Sequence, residues 1–172
     1  LVGSEMCIRD RYSDNDGAMN QSAGNGASVI LSNSTNETSD ITIGVDVSKF
    51  QGTIDWAQAA SSGVDFAMIR VGYRAQKTGV IYADTNAKYN MQQAAANGIK
   101  VGVYFFSSAV NEAEAIEEAD WVADFIADYS ITYPVAFDCE GFNTSESRQK
   151  SMTKAERTDV AVAFLQDIYD KG

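Results

Sequence analysis

The sequence contains no histidine, and it has only two cysteines among its 172 residues. The missing histidine excludes Ser-His-Asp and Cys-His catalysis and every histidine-ligated metal site. Two cysteines cannot form a four-cysteine zinc site or a disulfide framework. We therefore expect no metal and no cofactor. Any acid-base chemistry must come from carboxylate, tyrosine or lysine side chains.

Basic residues are also scarce. The chain has 13 lysines and arginines against 24 aspartates and glutamates, which gives a formal net charge of −11. A nucleic-acid-binding protein needs a basic surface to displace counterions from phosphates, and a membrane-surface anchor needs a cluster of basic residues. No run of about 18 apolar residues is present, so no transmembrane helix is expected. The composition predicts no nucleic-acid partner and no membrane insertion.

Composition divides the chain into three parts. Residues 1–12 (LVGSEMCIRDRY) show no hydrophobic period and resemble a translated sequencing-adapter read-through, so we regard this segment as a non-native artefact. Residues 13–40 are rich in Ser, Asn, Gly, Thr and Asp, a composition that buries too little apolar surface to offset ordering entropy and predicts a disordered polar linker. Residues 41–172 remain as the folded domain, which we expect to be incomplete at its C-terminal end.

The folded part alternates between strand and helix patterns. Strands are predicted at residues 41–48, 66–73, 100–107 and 134–140, and helices at residues 53–60, 84–97, 111–129 and 153–171. Nearly continuous apolar strands between helices predict an α/β fold with a parallel sheet. A doubly wound sheet and an irregular (β/α)8 TIM-like barrel both begin in this way. About 132 residues would supply the first four units of a barrel, since a complete one needs at least roughly 200.

Acidic residues occupy the positions where parallel α/β proteins gather their functional groups, the carboxyl ends of strands. Asp46 lies near the end of the first predicted strand, and Asp138 and Glu140 close the fourth. Because side chains alternate along a strand, Asp138 and Glu140 should share a face, and their repulsion should raise the pKa of one of them. The alternative role for such acids is helix capping or ion pairing. We interpret the acids between 112 and 118 as a solvated helix face and Cys139 as a small core residue.

Aromatic residues lie near the same strand ends. Tyr73, Tyr104 and Phe106 close the second and third predicted strands, and Phe50 follows the first. Sugar rings present apolar C–H faces that stack on aromatic side chains, so this rim indicates a carbohydrate ligand. Core packing is the alternative, and for Phe106 or its neighbour Phe105 taken singly it is the favoured interpretation.

Several segments carry a resemblance to a known family. They are Gly-Val-Asp-Val-Ser-Lys-Phe-Gln-Gly at 44–52, Ile-Asp-Trp at 54–56, Phe-Ala-Met-Ile-Arg-Val-Gly-Tyr at 66–73, Gly-Ile-Lys-Val-Gly-Val-Tyr-Phe-Phe-Ser at 98–107 and Phe-Asp-Cys-Glu at 137–140. In this order and spacing, residues 41–172 resemble glycoside hydrolase family 25, the N-acetylmuramidases often called Chalaropsis-type lysozymes.

The resemblance implies an irregular β/α barrel that hydrolyses the β-1,4 bond between N-acetylmuramic acid and N-acetylglucosamine in bacterial peptidoglycan. It implies that Glu140 is the general acid, that Asp138 tunes this acid and orients or stabilises the reacting sugar, and that Asp46 lies on the floor of the same groove. A carboxylate nucleophile and assistance by the substrate's N-acetyl group both stay open. Many family members have histidine where this chain has Phe105. The aspartate and aromatic residues of the family's later strands cannot be assigned in this sequence.

We therefore predict a secreted, monomeric muramidase that acts on peptidoglycan, and we expect the present chain to be inactive on its own. A chitinase-like barrel is an alternative, although its Asp-x-Asp-x-Glu motif needs aspartate where Ala136 stands. A non-catalytic cell-wall carbohydrate-binding module is another, although it should have lost one of the three acids. A receiver-like domain is disfavoured because Asp46 stands alone and Ser107, not aspartate, follows the third strand.

Overall fold

The structure is a computed structural model, and it describes residues 42–172. The predictions made for residues 1–12 and 13–40 lie outside the described residues. In chain order the elements are β1 (Gly44–Val47), α1 (Trp56–Ser61), β2 (Phe66–Arg74), β3 (Ile81–Ala83), α2 (Ala87–Ala96), β4 (Lys100–Phe106), α3 (Glu112–Ile126), β5 (Val135–Asp138) and α4 (Lys154–Lys171). Within this part of the chain, no helix is long and apolar enough to cross a membrane.

The strands form one sheet whose order decides between the two architectures left open above. Strands β1, β2, β4 and β5 are parallel neighbours in that order, and β3 pairs antiparallel with β2. Successive β/α units therefore cross the sheet without reversing direction. A doubly wound sheet contains a reversal, whereas right-handed crossovers that all run the same way put their helices on one face. The described residues form four consecutive β/α units wound as in a barrel.

The two faces of this sheet differ in how far their side chains are buried. On the helix-covered face, Val103 and Phe105 of β4 have no exposed area, and the ring of Phe105 packs 5.7 Å from Trp121 of α3 and 6.5 Å from Phe164 of α4, measured between centroids. Tyr104 and Phe106, which alternate with Val103 and Phe105 along β4, are only half-buried. We call this second surface the open face; strand alternation and register place on it Asp46, Arg70, Tyr104, Phe106 and Asp138.

A bulge in β2 adds one more residue to the open face. The register with β4 shifts between Arg70 and Gly72, so that Gly72 turns towards the helices and Tyr73 pairs with Phe106. A Cβ atom at Gly72 would lie 2.7 Å from the ring of Trp121, so the close packing of α3 on β2 requires glycine there. Because an extra residue reverses the alternation, Tyr73 joins Arg70 on the open face.

Most helix ends follow the local sequence signals. Thr153 and Glu156, which have the sequence spacing of a capping box, form one at the start of α4, and Gly98 has the positive φ of 76° expected of a residue that ends a helix. The first helix was predicted over residues 53–60, with Thr53 as a plausible cap, and this start was wrong. It starts at Trp56, and the Asp55 carboxylate caps it by accepting a 2.9 Å hydrogen bond from the Gln58 N–H. The antiparallel strand β3 was not predicted, because three residues are too few to show an alternating pattern.

The acidic segment of α3 corrects a second prediction. The side chain of Glu118 has no exposed area, because Arg74 of β2 donates a 2.6 Å hydrogen bond to its Oε1. The same guanidinium reaches the mostly exposed Glu117 at 2.7 Å. Burial raises the pKa of Glu118 to about 7, although Ser107 and Arg74 favour its charged form. The interpretation of these acids as a solvated face is therefore wrong for Glu118, which packs on the sheet against Arg74, whereas Glu112 and Glu117 are exposed as predicted.

The pairing of Glu118 with Arg74 also changes which apolar residues of α3 are buried. Apolar residues at helical spacing, Ile116, Ala119 and Val122, predict a buried face that includes Ile116, but Ile116 is 41% exposed, whereas Ala115, Ala119 and Val122 are fully buried. The helix is rotated so that Glu118 faces the sheet between Ala115 and Val122. This rotation depends on Arg74, which is 44 residues away from Glu118 in the chain, so it cannot be predicted from the local periodicity of the helix.

Candidate active site

The turn after β1 explains most of the Asp-Val-Ser-x-x-Gln-Gly motif in structural terms. Ser48 caps a 3-10 turn at Lys49–Gln51, and its backbone N–H donates a 2.7 Å hydrogen bond to Gln51 Oε1. Gly52 has φ 68° and ψ −147°, a conformation essentially restricted to glycine. Ser48, Gln51 and Gly52 thus stabilise the turn. Asp46, on the open face, is the residue of the motif whose carboxylate could contact a substrate.

Asp46 and Tyr104 interact across the open face. Asp46 is exposed and pairs in register with Met68 of β2, while Tyr104 is half-buried on β4. Burial raises the pKa of Tyr104, and a hydrogen bond to Asp46 together with the charges of Asp46 and Asp138 raises it further, against an opposing effect of Arg70. The phenol therefore stays protonated and donates a hydrogen bond to the Asp46 carboxylate. Charged residues from the three other parallel strands, β1, β2 and β5, are close enough to influence this one tyrosine of β4.

Arg70 is a site residue that the sequence reasoning did not select. Its Nε and Nη2 donate hydrogen bonds of 2.9 and 2.7 Å to Asp84 Oδ2. Asp84 is 3% exposed and also accepts from the backbone N–H groups of Lys49 and Asn86, each at 3.0 Å. One buried carboxylate thus ties β2 to the turn after β1 and to the start of α2. The charge of Arg70 in the middle of the predicted strand 66–73, whose other residues are uncharged, was the signal that could have indicated it.

The four predicted aromatic residues lie on the open face or at its rim. Phe50 is 75% exposed, and the guanidinium of Arg70 lies 5.1 Å from its ring centroid. Tyr73 stacks on Tyr82 of β3 at 5.6 Å and also has Arg70 over its ring, at 5.4 Å. Tyr104 and Phe106 are half-buried on β4. The structure therefore places these rings beside the acids, and only Phe50 is largely exposed to solvent.

Asp138 and Glu140 differ in how the sheet supports them. Asp138 ends β5 in register with Phe106, and its carbonyl accepts a 2.8 Å hydrogen bond from the Ser107 N–H. The strand was predicted to run to Glu140 but ends two residues earlier, because β4 ends at Phe106 and offers no further pairing. Strand alternation consequently applies to Asp138 alone. Glu140 is exposed at the start of the following loop, next to Gly141 with φ 68°.

Hydrogen bonds hold the loop that starts at Glu140 against the body of the domain. The thiol of Cys139 donates to Gln149 Oε1 at 3.6 Å, and Gln149 Nε2 donates to the Ala109 carbonyl at 2.9 Å. Arg148 makes hydrogen bonds of 2.7 and 3.0 Å to the Glu114 carboxylate. Cys139 is half-buried and is not the core residue that we expected. It connects the strand end to the loop, and burial raises its pKa.

Comparison of the sequence with known protein families gives the family of this chain. The sequence model of the glycosyl hydrolases family 25 matches residues 45–172. The chain belongs to glycosyl hydrolase family 25. The matched range contains the three acids and the four aromatic residues described above, and it confirms the resemblance that the sequence motifs indicated.

Individual relatives agree with the family 25 assignment. Lysozyme M1 of Streptomyces globisporus is 34% identical over 80 residues, which are 46% of this chain and 25% of that lysozyme. Among solved structures, the modular autolysin LytC from Streptococcus pneumoniae, in complex with a synthetic peptidoglycan ligand, has a TM-score of 0.65 at 21% identity, covering 75% of this chain and 30% of LytC. The spore cortex lytic enzyme SleM from Clostridium perfringens has a TM-score of 0.66 at 22% identity, covering 79% of this chain and 43% of SleM.

A bacterial lysozyme from Streptomyces coelicolor has a TM-score of 0.58 at 23% identity, covering 77% of this chain and 59% of that lysozyme. At such identities the likeness concerns the fold, and it confirms the α/β prediction with its barrel-like arrangement. The chain spans a quarter of the length of Lysozyme M1 and 30% of LytC. For this family 25 chain, substrate and activity are therefore argued from the site itself.

Proposed function

We propose that this protein is a muramidase that hydrolyses the β-1,4 bond between N-acetylmuramic acid and N-acetylglucosamine in bacterial peptidoglycan. One observation carries the proposal: Asp46, Tyr104 and Asp138 come together on the open face towards the carboxyl ends of parallel strands of one sheet, beside the exposed ring of Phe50 and the half-buried ring of Tyr73. Glycosidases need two carboxyl groups on either side of the scissile bond, and sugars stack on aromatic rims. Acting on cell walls also implies that the protein works outside the cell, as a secreted monomer.

Each acid has a distinct role in this proposal. Glu140, exposed beyond the end of β5, donates a proton to the leaving-group oxygen. Asp138, half-buried at the strand end, orients the reacting sugar and stabilises the positive charge that develops on it. Asp46 lies on the groove floor, where the Tyr104 phenol fixes its orientation by a hydrogen bond. The absence of histidine fits this scheme, because carboxyl groups perform every proton transfer in it.

The products of digestion test the proposed bond specificity. Protein expressed from the complete gene is incubated with purified peptidoglycan, and the new ends are reduced with borohydride and identified by mass spectrometry. We expect reduced N-acetylmuramic acid at these ends, because a muramidase leaves this sugar at the reducing end. Reduced N-acetylglucosamine would contradict the proposal. Cleavage of chitin without cleavage of peptidoglycan would favour the chitinase alternative, and binding without cleavage would favour the non-catalytic module.

The 172-residue chain by itself should not clear cell walls. Helices cover only one face of the sheet that the described residues form, Asp46 is exposed on the open face and Glu140 is exposed beyond the end of β5, so these residues supply one wall of a groove. A water-excluding site that surrounds the scissile bond needs a second wall. The measurement is turbidity clearing of bacterial walls by the chain, with an active muramidase as the positive control. Clearing by the chain at a comparable rate would refute this expectation.

A further inference from the structure

A lysine lies at the rim of the open face in addition to the residues already assigned. Lys49 is the first residue of the turn after β1, and its ammonium lies 5.5 Å from the ring centroid of Phe50 and 5.4 Å from that of Tyr73. A cation over a ring is attracted to the π electrons, but this attraction does not use the N–H donors of the ammonium. A positive charge with hydrogen-bond donors therefore lies against the aromatic rim.

The backbone of this lysine is held firmly. Its N–H donates a 3.0 Å hydrogen bond to the buried carboxylate of Asp84, and the capping box of Ser48 and Gln51 fixes the turn on either side. The direction in which Lys49 leaves the backbone is thus set by three neighbouring contacts. A long side chain that starts from a rigid turn loses less conformational entropy when its head group binds a ligand.

The second cation of the rim is committed to a partner within the protein. Arg70 donates two hydrogen bonds to the Asp84 carboxylate, whose side chain has no exposed area. Lys49 meets the same carboxylate only through its backbone N–H. Of the two cations beside Phe50 and Tyr73, the ammonium of Lys49 is consequently the one that we assign to a ligand.

We propose that Lys49 is a specificity-determining residue that binds a carboxylate carried by the glycan stacked at this rim. The proposal rests on the proposed function, and it narrows the preferred substrate to glycans that bear a negative charge. An ammonium forms strong, charge-assisted hydrogen bonds with a carboxylate, whereas a neutral polymer of N-acetylglucosamine offers no such group. Peptidoglycan contains this chemistry in two places: the lactyl group of a muramic acid without peptide, and the stem peptide.

Binding of the chain to three insoluble glycans tests the proposal without requiring catalysis. The glycans are intact peptidoglycan, peptidoglycan stripped of its peptides by an amidase, and chitin, and bound protein is measured by co-sedimentation at low salt. We expect Lys49→Gln to weaken binding to at least one of the two peptidoglycan preparations by about tenfold and to leave binding to chitin unchanged. A loss on stripped material identifies the lactyl carboxylate, and a loss confined to intact material identifies the stem peptide.

Two further variants serve as controls. Lys88→Gln removes a lysine that also lies over an aromatic ring, 5.5 Å from the centroid of Phe125, but on the helix-covered side, and it should bind like the unsubstituted chain. Lys49→Arg keeps the charge and should retain most of the binding. Equal binding by Lys49→Gln, an equal loss on chitin, or no binding of the unsubstituted chain to either peptidoglycan would overturn the proposal. The analysis of reducing ends tests the proposed function independently of these results.

Discussion

Glu140→Gln is expected to lower the rate of peptidoglycan lysis at least about 100-fold in protein expressed from the complete gene. The amide has nearly the same shape as the protonated acid but cannot transfer a proton to the leaving-group oxygen. With no histidine in the chain, the nearby groups that could replace it are Asp138, which the sheet holds, and Tyr104, whose raised pKa makes it a poor proton donor. Turbidity clearing of bacterial walls measures the rate.

The control for this substitution comes from the same loop. Glu146→Gln changes an exposed glutamate that pairs with Lys77, so it makes the same chemical change away from the strand end. We expect this variant to keep its lytic rate, and we expect both variants to sediment with walls as the unsubstituted protein does, because Glu140 is exposed and its amide fits without strain. If Glu140→Gln lyses walls at the normal rate, another group is the acid.

The sequence predicted the site best where strand geometry alone decides it. Asp46 lies near the end of β1 and Asp138 ends β5, the two outermost of the four parallel strands, and period-two alternation is enough to bring both to one face. Glu140 was placed by the same rule, but β5 has ended before it, so its position depends on the loop contacts of Gln149 and Arg148. Those contacts join residues 34 or more positions apart, and no local pattern reports them.

The prediction of the fold had the same limit. Local patterns identified the helices and strands but not the contacts between distant residues. Apolar runs and caps identified four strands and four helices, whereas the bulge at Val71 depends on how Trp121 packs on Gly72. Without this bulge, simple alternation would put Tyr73 on the helix side. Tyr73 was therefore predicted as a rim residue because it lies at a strand end. It reaches the open face because of a tertiary contact, the packing of Trp121 on Gly72.

The buried pair between Glu118 and Arg74 should make stability depend on pH. The raised pKa of Glu118, about 7 against an ordinary 4.5, means that the folded chain binds this proton more tightly than the unfolded chain does. The contribution to the free energy of unfolding is thus fully present below about pH 4.5 and is lost as the pH rises through 7. The change amounts to about 3 kcal/mol across this range. Glu114 acts in the opposite sense, because Arg148 and Arg74 lower its pKa and move its effect below pH 4.5.

Glu118→Gln isolates this effect. A protonated glutamate and a glutamine are nearly equivalent, so the variant and the parent chain should have similar free energies of unfolding at pH 5. At pH 8 the variant should be more stable by about 3 kcal/mol, since residue 118 then carries no buried carboxylate charge. Arg74 keeps its hydrogen bonds to Glu117 and to the carbonyls of Gly79 and Glu114, so its guanidinium is not left without partners. Urea unfolding at the two pH values measures the difference.

Glu117→Gln is the matched control, because it removes the other carboxylate that pairs with Arg74. Glu117 is 64% exposed, so its ion pair is screened by water and should contribute less than about 1 kcal/mol at either pH. A Glu118→Gln variant that is less stable than the parent chain at pH 8 would contradict the prediction. It would mean that the attraction between Glu118 and Arg74 exceeds the cost of burying the carboxylate, and that this pair stabilises the packing of α3 on the sheet as a charged unit.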